Sequence, residues 1–131
     1  MAATLTDKLQ LKTGMKLAVL NAPAGYAGRL AEALQGIEIT AQATGAQAVL
    51  VFVTTLAEAG KLAPEVVRAV KVDGLVWIAY PKGGSGVKTD VNRDKLWPVV
   101  QPLGWRPVRM VSIDEIWSAM RFRPEALVKG K

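Results

Sequence analysis

The residues best equipped for chemistry gather around one basic, glycine-rich stretch. An apolar run, Leu75-Val76-Trp77-Ile78-Ala79, ends in Tyr80-Pro81-Lys82 and breaks into Gly83-Gly84-Ser85-Gly86-Val87-Lys88, with Arg93 close behind. Loop amides, Lys82, Lys88 and Arg93 can converge on a phosphate or carboxylate beside a helix that begins near Asp90. A second group, Asn21, Gly25 and Tyr26, occupies the turn after an earlier apolar run, at the end of a strand where α/β sheets collect ligands. The predicted ligand-binding set is therefore Asn21, Gly25, Tyr26, Tyr80, Lys82, Gly84, Ser85, Lys88 and Arg93, with no catalytic residue, metal ligand or cofactor assigned. The loop is not a P-loop, because Val87 separates Gly86 from Lys88-Thr89 where that motif needs Gly-Lys-Ser/Thr unbroken. Asp90-Val91-Asn92-Arg93-Asp94 opens like a calcium loop, but Lys95 and Gln101 stand where the later Gly and the closing Glu are required. Helix capping and local ion pairs fit that stretch better.

Absences narrow the chemistry further. The 131 residues contain no cysteine and no histidine. Disulfides, thiolate nucleophiles, Ser-His-Asp triads and zinc hydrolase sites are excluded. Acid–base work falls to Asp, Glu, Lys or Tyr, with Tyr80, Lys82 and Asp90 the local candidates, and a metal would need oxygen ligands. Hydrophobic residues make up 50% and charged residues 21%, a globular composition that suits a single α/β domain over residues 1–131. The net charge of +6 favours anionic partners, although Lys and Arg are scattered, with no run of four. No signal-peptide pattern and no membrane-length apolar run occurs, so a cytoplasmic location without membrane contact is expected.

These groups must be positioned by alternating strands and helices. A strand is expected over 16–21, then a helix whose apolar face is Leu30, Ala33 and Leu34, stopped by Gly36. A weaker strand over 37–41 precedes Ala48-Val49-Leu50-Val51-Phe52-Val53, an unbroken apolar run of the kind found in central parallel strands. Residues 56–70 read as helix in two pieces, interrupted at Gly60 and reopened by Pro64. After the strand at Leu75, Thr89 or Asp90 can cap a helix through Leu96, Trp97 and Val100, bent by Pro98 or Pro102 and closed by Gly104. Residues 106–111 form the next strand. Residues 117–123 are ambiguous: Ser112-Ile113-Asp114-Glu115 has the form of a capping box, whereas the alternation of Ile116, Ser118, Met120 and Phe122 favours a strand. The strand reading is preferred; it pairs antiparallel with 106–111 and sets Arg121 and Arg123 on one face. The whole is a Rossmann-like three-layer sandwich with a mostly parallel sheet and an antiparallel C-terminal edge strand.

The order of motifs resembles a compressed class I methyltransferase domain. Leu11-Lys12-Thr13-Gly14-Met15-Lys16 precedes the first strand, Val72-Asp73-Gly74 precedes the long strand to Tyr80, and a closing β-hairpin completes the likeness. In those enzymes the first strand ends in an acidic residue and a tight glycine cluster. Here the turn is Asn21-Ala22-Pro23-Ala24-Gly25-Tyr26-Ala27-Gly28, with Asn for the acid and no G-x-G start, and the second strand ends in Thr40-Ala41-Gln42 without a carboxylate for ribose. Over nearly the whole chain the sequence also resembles a family of small uncharacterised bacterial proteins. That likeness rests on Lys8-Leu9 with Leu11-Lys12, Asn21-Ala22-Pro23, Trp77 with Tyr80-Pro81-Lys82 and Gly86-Val87, Asp90 with Leu96-Trp97, and Trp117-Ser118-Ala119 with Arg121-Phe122-Arg123. It implies a bacterial source and a Rossmann-like fold, and no established activity.

Three functional readings follow. The first is a non-catalytic binding domain for an anionic small molecule or a protein, using the crevice between the 21–28 turn and the 81–90 loop. As an interaction module it would form a homodimer or dock a partner through an apolar patch containing Trp97 or Trp105, with Trp117 a further candidate; burial is the plainer role for all three. The second is a reduced S-adenosylmethionine-dependent methyltransferase-like enzyme. The third is a nucleic-acid accessory protein. Arg121 and Arg123 would form a basic edge if exposed, with plain solvation the simpler role.

Overall fold

Six strands and three helices follow one another along the chain in a computed structural model that describes residues 9–11, 14–22, 26–34, 36–40, 46–69, 75–82, 86, 89–113 and 116–124. They are β1 (Lys16–Leu20), α1 (Tyr26–Ala33), β2 (Glu38–Thr40), β3 (Ala48–Phe52), α2 (Leu56–Ala69), β4 (Leu75–Pro81), α3 (Arg93–Val100), β5 (Trp105–Ser112) and β6 (Trp117–Pro124). The strands make one sheet in the order β2-β1-β3-β4-β6-β5. β1 to β4 run parallel to one another, while β6 runs antiparallel to both β4 and β5. Every residue of β3 and β4 is buried, as expected for continuous apolar strands covered on both faces.

The sheet thus corrects two expectations: it is mixed, with three parallel and two antiparallel pairings, rather than mostly parallel, and its edge differs. The C-terminal strand is antiparallel, but it lies inside the sheet, and β5 is the edge. Proline chemistry explains the placement. Pro107 has no N–H to donate, and the β5–β6 ladder slips between Pro107 and Arg109; both features are tolerated at an edge and costly inside. β6 instead buries Trp117 and Ala119 on one face and Met120 and Phe122 on the other. The strand reading of 117–123 therefore holds over the capping-box alternative, with Ser112 serving as the last residue of β5.

Two apolar layers flank the sheet. On one side Val49, Val51, Val76, Ile78 and Phe122 pack against Ala59, Ala63 and Val66 of α2 and Leu96 and Val100 of α3. On the other, Leu17, Leu50, Phe52 and Trp77 meet Tyr26 and Leu30 of α1 and also Leu9 and Leu11. The Trp77 indole donates to the Leu9 carbonyl at 3.1 Å, so the segment before β1 covers part of the sheet at β4.

Expectations for the helices need two amendments. α2 is one 14-residue helix that runs through both Gly60 and Pro64. Burial of Ala59, Ala63 and Val66 offsets the backbone bond that Pro64 cannot donate. Gly60 faces α3, and a Cβ there would stand 4.0 Å from Val99 Cγ1, an ordinary van der Waals contact, so the packing does not require glycine at this position. The cap of α3 is Asn92, whose Oδ1 accepts from the Lys95 amide at 2.9 Å, in place of Thr89 or Asp90. Gly104, at φ +83°, ends the 3-10 turn that follows α3. Among the described residues, no helix is long and apolar enough to cross a membrane.

Candidate functional site

The chain leaves β1 toward β2 on one side and returns to place β3 on the other. Diverging connections of this kind open a crevice beyond the C-terminal ends of the two strands. Asn21 stands at that point, directly after β1, with φ +59°, a left-handed conformation that Asn adopts more readily than most residues. Its Nδ2 donates to the Phe52 carbonyl at the end of β3, at 2.7 Å, and to Glu58 Oε2 at 3.4 Å. One side chain therefore ties both strand ends to the first turn of α2.

Glu58 is the centre of this arrangement. Its Oε1 accepts from the Thr54 amide at 2.7 Å and from Thr54 Oγ1 at 3.0 Å, while its own amide donates to Thr55 Oγ1 at 3.0 Å. Thr55 and Glu58 thus form a capping-box pair in which the carboxylate reaches one residue further back than usual. The Thr54 backbone bond, above all, holds the Glu58 carboxyl below its ordinary value, helped by the Thr54 and Asn21 side chains against a smaller desolvation effect. Asp90 approaches from the loop after β4, its Oδ1 accepting from the Leu56 amide at 2.8 Å. Thr89 Oγ1 donates to the Thr54 carbonyl at 2.7 Å and accepts from the Val91 amide at 3.0 Å. Two carboxylates and three hydroxyls are thereby set around the ends of β1 and β3.

The predicted ligand-binding residues are dispersed by the fold. Asn21 reaches the crevice. Tyr26 is buried, with its ring 5.1 Å from Phe52 and 6.5 Å from Trp117 between centroids. Tyr80 is buried in the layer formed with α2 and α3, its hydroxyl donating to Met110 Sδ at 3.0 Å. Lys82 Nζ donates to Ser112 Oγ at 2.6 Å, which directs it toward the β5–β6 hairpin. Gly25, Gly84, Ser85 and Lys88 lie outside the described residues, as does the side chain of Arg93, which opens α3. Of the tryptophans, Trp105 and Trp117 are buried and Trp97 is 41% exposed. Asp90 and Asn92 serve separate local roles, and no cluster of three potential metal-ligating side chains occurs among the described residues. Glu58 and Thr54 were missed by sequence reasoning. The signal for them was present in Thr55-Leu56-Ala57-Glu58, a capping-box spacing directly after a central strand.

No family model matches the chain, and no curated protein matches its sequence, so the resemblance to small uncharacterised bacterial proteins gains no support. Solved structures do resemble it. A SAM-dependent methyltransferase from Aquifex aeolicus superposes with a TM-score of 0.61 at 12% identity, covering 90% of this chain and 86% of that one. The N-methyltransferase NodS from Bradyrhizobium japonicum, in complex with S-adenosyl-L-homocysteine, gives 0.55 at 12% identity, covering 92% and 83%. The Methanococcus jannaschii fibrillarin pre-rRNA processing protein gives 0.53 at 14% identity, covering 95% and 70%. At these identities the likeness is one of fold: a mixed α/β sheet of the methyltransferase-like, Rossmann type.

Proposed function

We propose that this chain is a methyltransferase-like domain that takes S-adenosylmethionine in the crevice at the ends of β1 and β3. The carrying observation is the Asn21–Glu58 contact. The acid that such enzymes place at the end of the first strand is Asn21 here, and a carboxylate returns to the same place from α2, 3.4 Å from the Asn21 amide. The donor set suits the ligand. S-adenosylmethionine carries a sulfonium and an ammonium, both attracted to a carboxylate held ionised, and its ribose hydroxyls suit acceptors such as Glu58 and Asp90. When bound, the sulfonium supplies a methyl group to a nucleophile and leaves as a neutral thioether. The protein's own residues bind and orient: Asn21 fixes the strand ends, Thr54 aims the Glu58 carboxylate, and Asp90 with Thr89 docks the loop after β4 beside them.

Calorimetric titration and thermal shift against S-adenosylmethionine, S-adenosylhomocysteine and ATP test this reading. Saturation to about 100 times Kd stabilises by roughly 2.7 kcal/mol, a rise of several degrees in the unfolding midpoint. Wild type is expected to respond to the first two compounds and Glu58→Gln to bind them more weakly. A response to ATP alone would overturn the assignment in favour of an anion site. Binding without methyl transfer is the second reading, and the placement of Tyr80 and Lys82 favours it: each is engaged with a residue of β5, away from Asn21. Transfer of a labelled methyl group to candidate acceptors separates the two.

A further inference from the structure

The β5–β6 hairpin sets like charges face to face. Its register places Arg106 opposite Arg123 and Arg109 opposite Arg121. Directly opposed residues on antiparallel strands have Cβ atoms about 4.5–5.5 Å apart, and like charges at that separation are destabilising. The bulge contributes to the arrangement. In an unbroken ladder Val108 would stand opposite Arg121, and the slip between Pro107 and Arg109 gives that place to an arginine. Arg106 and Arg109 are exposed, while Arg121 and Arg123 are half-buried, with Arg121 Nη1 donating to Gln10 Oε1 at 2.7 Å. Alternate residues on β6, Arg121 and Arg123 are spaced by about 6.8 Å along the strand, comparable to neighbouring phosphates on an extended single strand. Repeated charge at that spacing complements a polyanion.

A second observation belongs to the same edge. A groove of about 350 Å³ between α3 and the hairpin is lined by Asp94, Trp97, Pro107, Arg109, Met110 and Met120. Trp97 is 41% and Met110 47% exposed, whereas Trp77, Trp105 and Trp117 are buried. An open indole beside an arginine offers a surface on which a base can stack. Arg109 belongs to both features.

We propose that the β5 edge binds single-stranded nucleic acid that wraps around it, with phosphates on the Arg106–Arg123 and Arg109–Arg121 pairs on the sheet face of Ala119 and a base against Trp97 in the groove on the face of Met120, Arg109 lining the passage between them. This surface is separate from the crevice. Arg106 and Arg123 lie toward the start of β4, since the adjacent Phe122 pairs with Val76, whereas the crevice lies beyond the opposite ends of the strands.

The test titrates the full chain into fluorescein-labelled oligouridine and oligothymidine, following anisotropy over a range of KCl concentrations. Affinity should fall with salt, and the Arg106→Ala/Arg123→Ala double variant should flatten the log–log slope by about 0.7, for the one phosphate no longer neutralised. Trp97→Ala should weaken binding at least about fivefold because the base loses its stacking surface, with the slope unchanged. Oligonucleotide should quench tryptophan emission in wild type and not in Trp97→Phe. Unfolding midpoints guard against misfolding: the double-arginine variant should unfold in a single transition well above the assay temperature. No salt-dependent binding, an equal loss from Lys61→Ala on α2, or tighter binding of duplex or of polyglutamate would overturn the proposal. Failure here leaves S-adenosylmethionine binding untouched, and the converse also holds.

Discussion

Glu58 does two things at once, and they separate with pH. Its carboxylate accepts from Thr54 and Asn21, which stabilises the ionised form and draws its pKa below the ordinary value of 4.5. A depressed carboxylate contributes stability that is fully present above 4.5 and is lost as pH falls from there through the folded-state value. Glu58→Gln should therefore lower the unfolding midpoint near neutrality and converge on wild type in more acidic solution. The difference should be small, since the group is half-buried and solvent screens it. Equal midpoints at all pH values would mean that the carboxylate does not hold the Thr54 turn. Asn21 was legible in the sequence because a polar residue directly after an apolar strand marks a strand end. Its partner was not, because Glu58 is distant in sequence and reads as an ordinary first-turn acid until β1 and β3 are known to be neighbours.

At the scale of elements, alternation and burial were readable, and the order of strands was not. The run 48–53 and the strand from Leu75 are apolar throughout and became the central parallel strands. The hairpin of β5 and β6 was also readable, but period-two alternation does not say which strand docks on β4. Pro107 and the bulge beside it decide that. α2 differs from its reading for a related reason: a proline prefers a helix start, and the sequence alone cannot weigh that against the burial of Ala59, Ala63 and Val66. The uninterrupted helix makes a sharp prediction. Pro64→Ala restores an N–H that can bond to the Gly60 carbonyl and removes a ring from the helix interior, a change worth up to about 3 kcal/mol by helix propensity. Greater freedom of the unfolded chain offsets roughly 0.4–1 kcal/mol of this. Denaturant melts should show a net gain of about 1–2 kcal/mol, within those limits. A neutral or destabilising result would mean that Pro64 opens a second helix.

For the whole molecule, the sheet has two polar margins: strand ends rimmed by Asn21, Glu58 and Asp90, and an edge strand that carries arginines opposite those of its neighbour. Keeping them apart requires a rigid sheet between them, and one layer of that sheet depends on chain outside the regular elements. Leu9 is fully buried, and its carbonyl accepts from Trp77, itself fully buried on β4. Gln10 meets Arg121 on the next strand, so the same short segment spans β4 and β6. No periodicity announces this, because three residues are too few to show a face. The consequence is nevertheless large. Leu9→Ala removes a side chain packed in the layer that holds Leu17, Phe52 and Trp77, and should cost about 2–5 kcal/mol, a substantial part of the roughly 5–15 kcal/mol that holds a domain of this kind together. Trp77 emission should shift to longer wavelength as water gains access to its indole. A cost under about 1 kcal/mol, typical of exposed positions, with unchanged emission would mean that the segment only rests on the sheet, and that β4 is held by its strand neighbours alone.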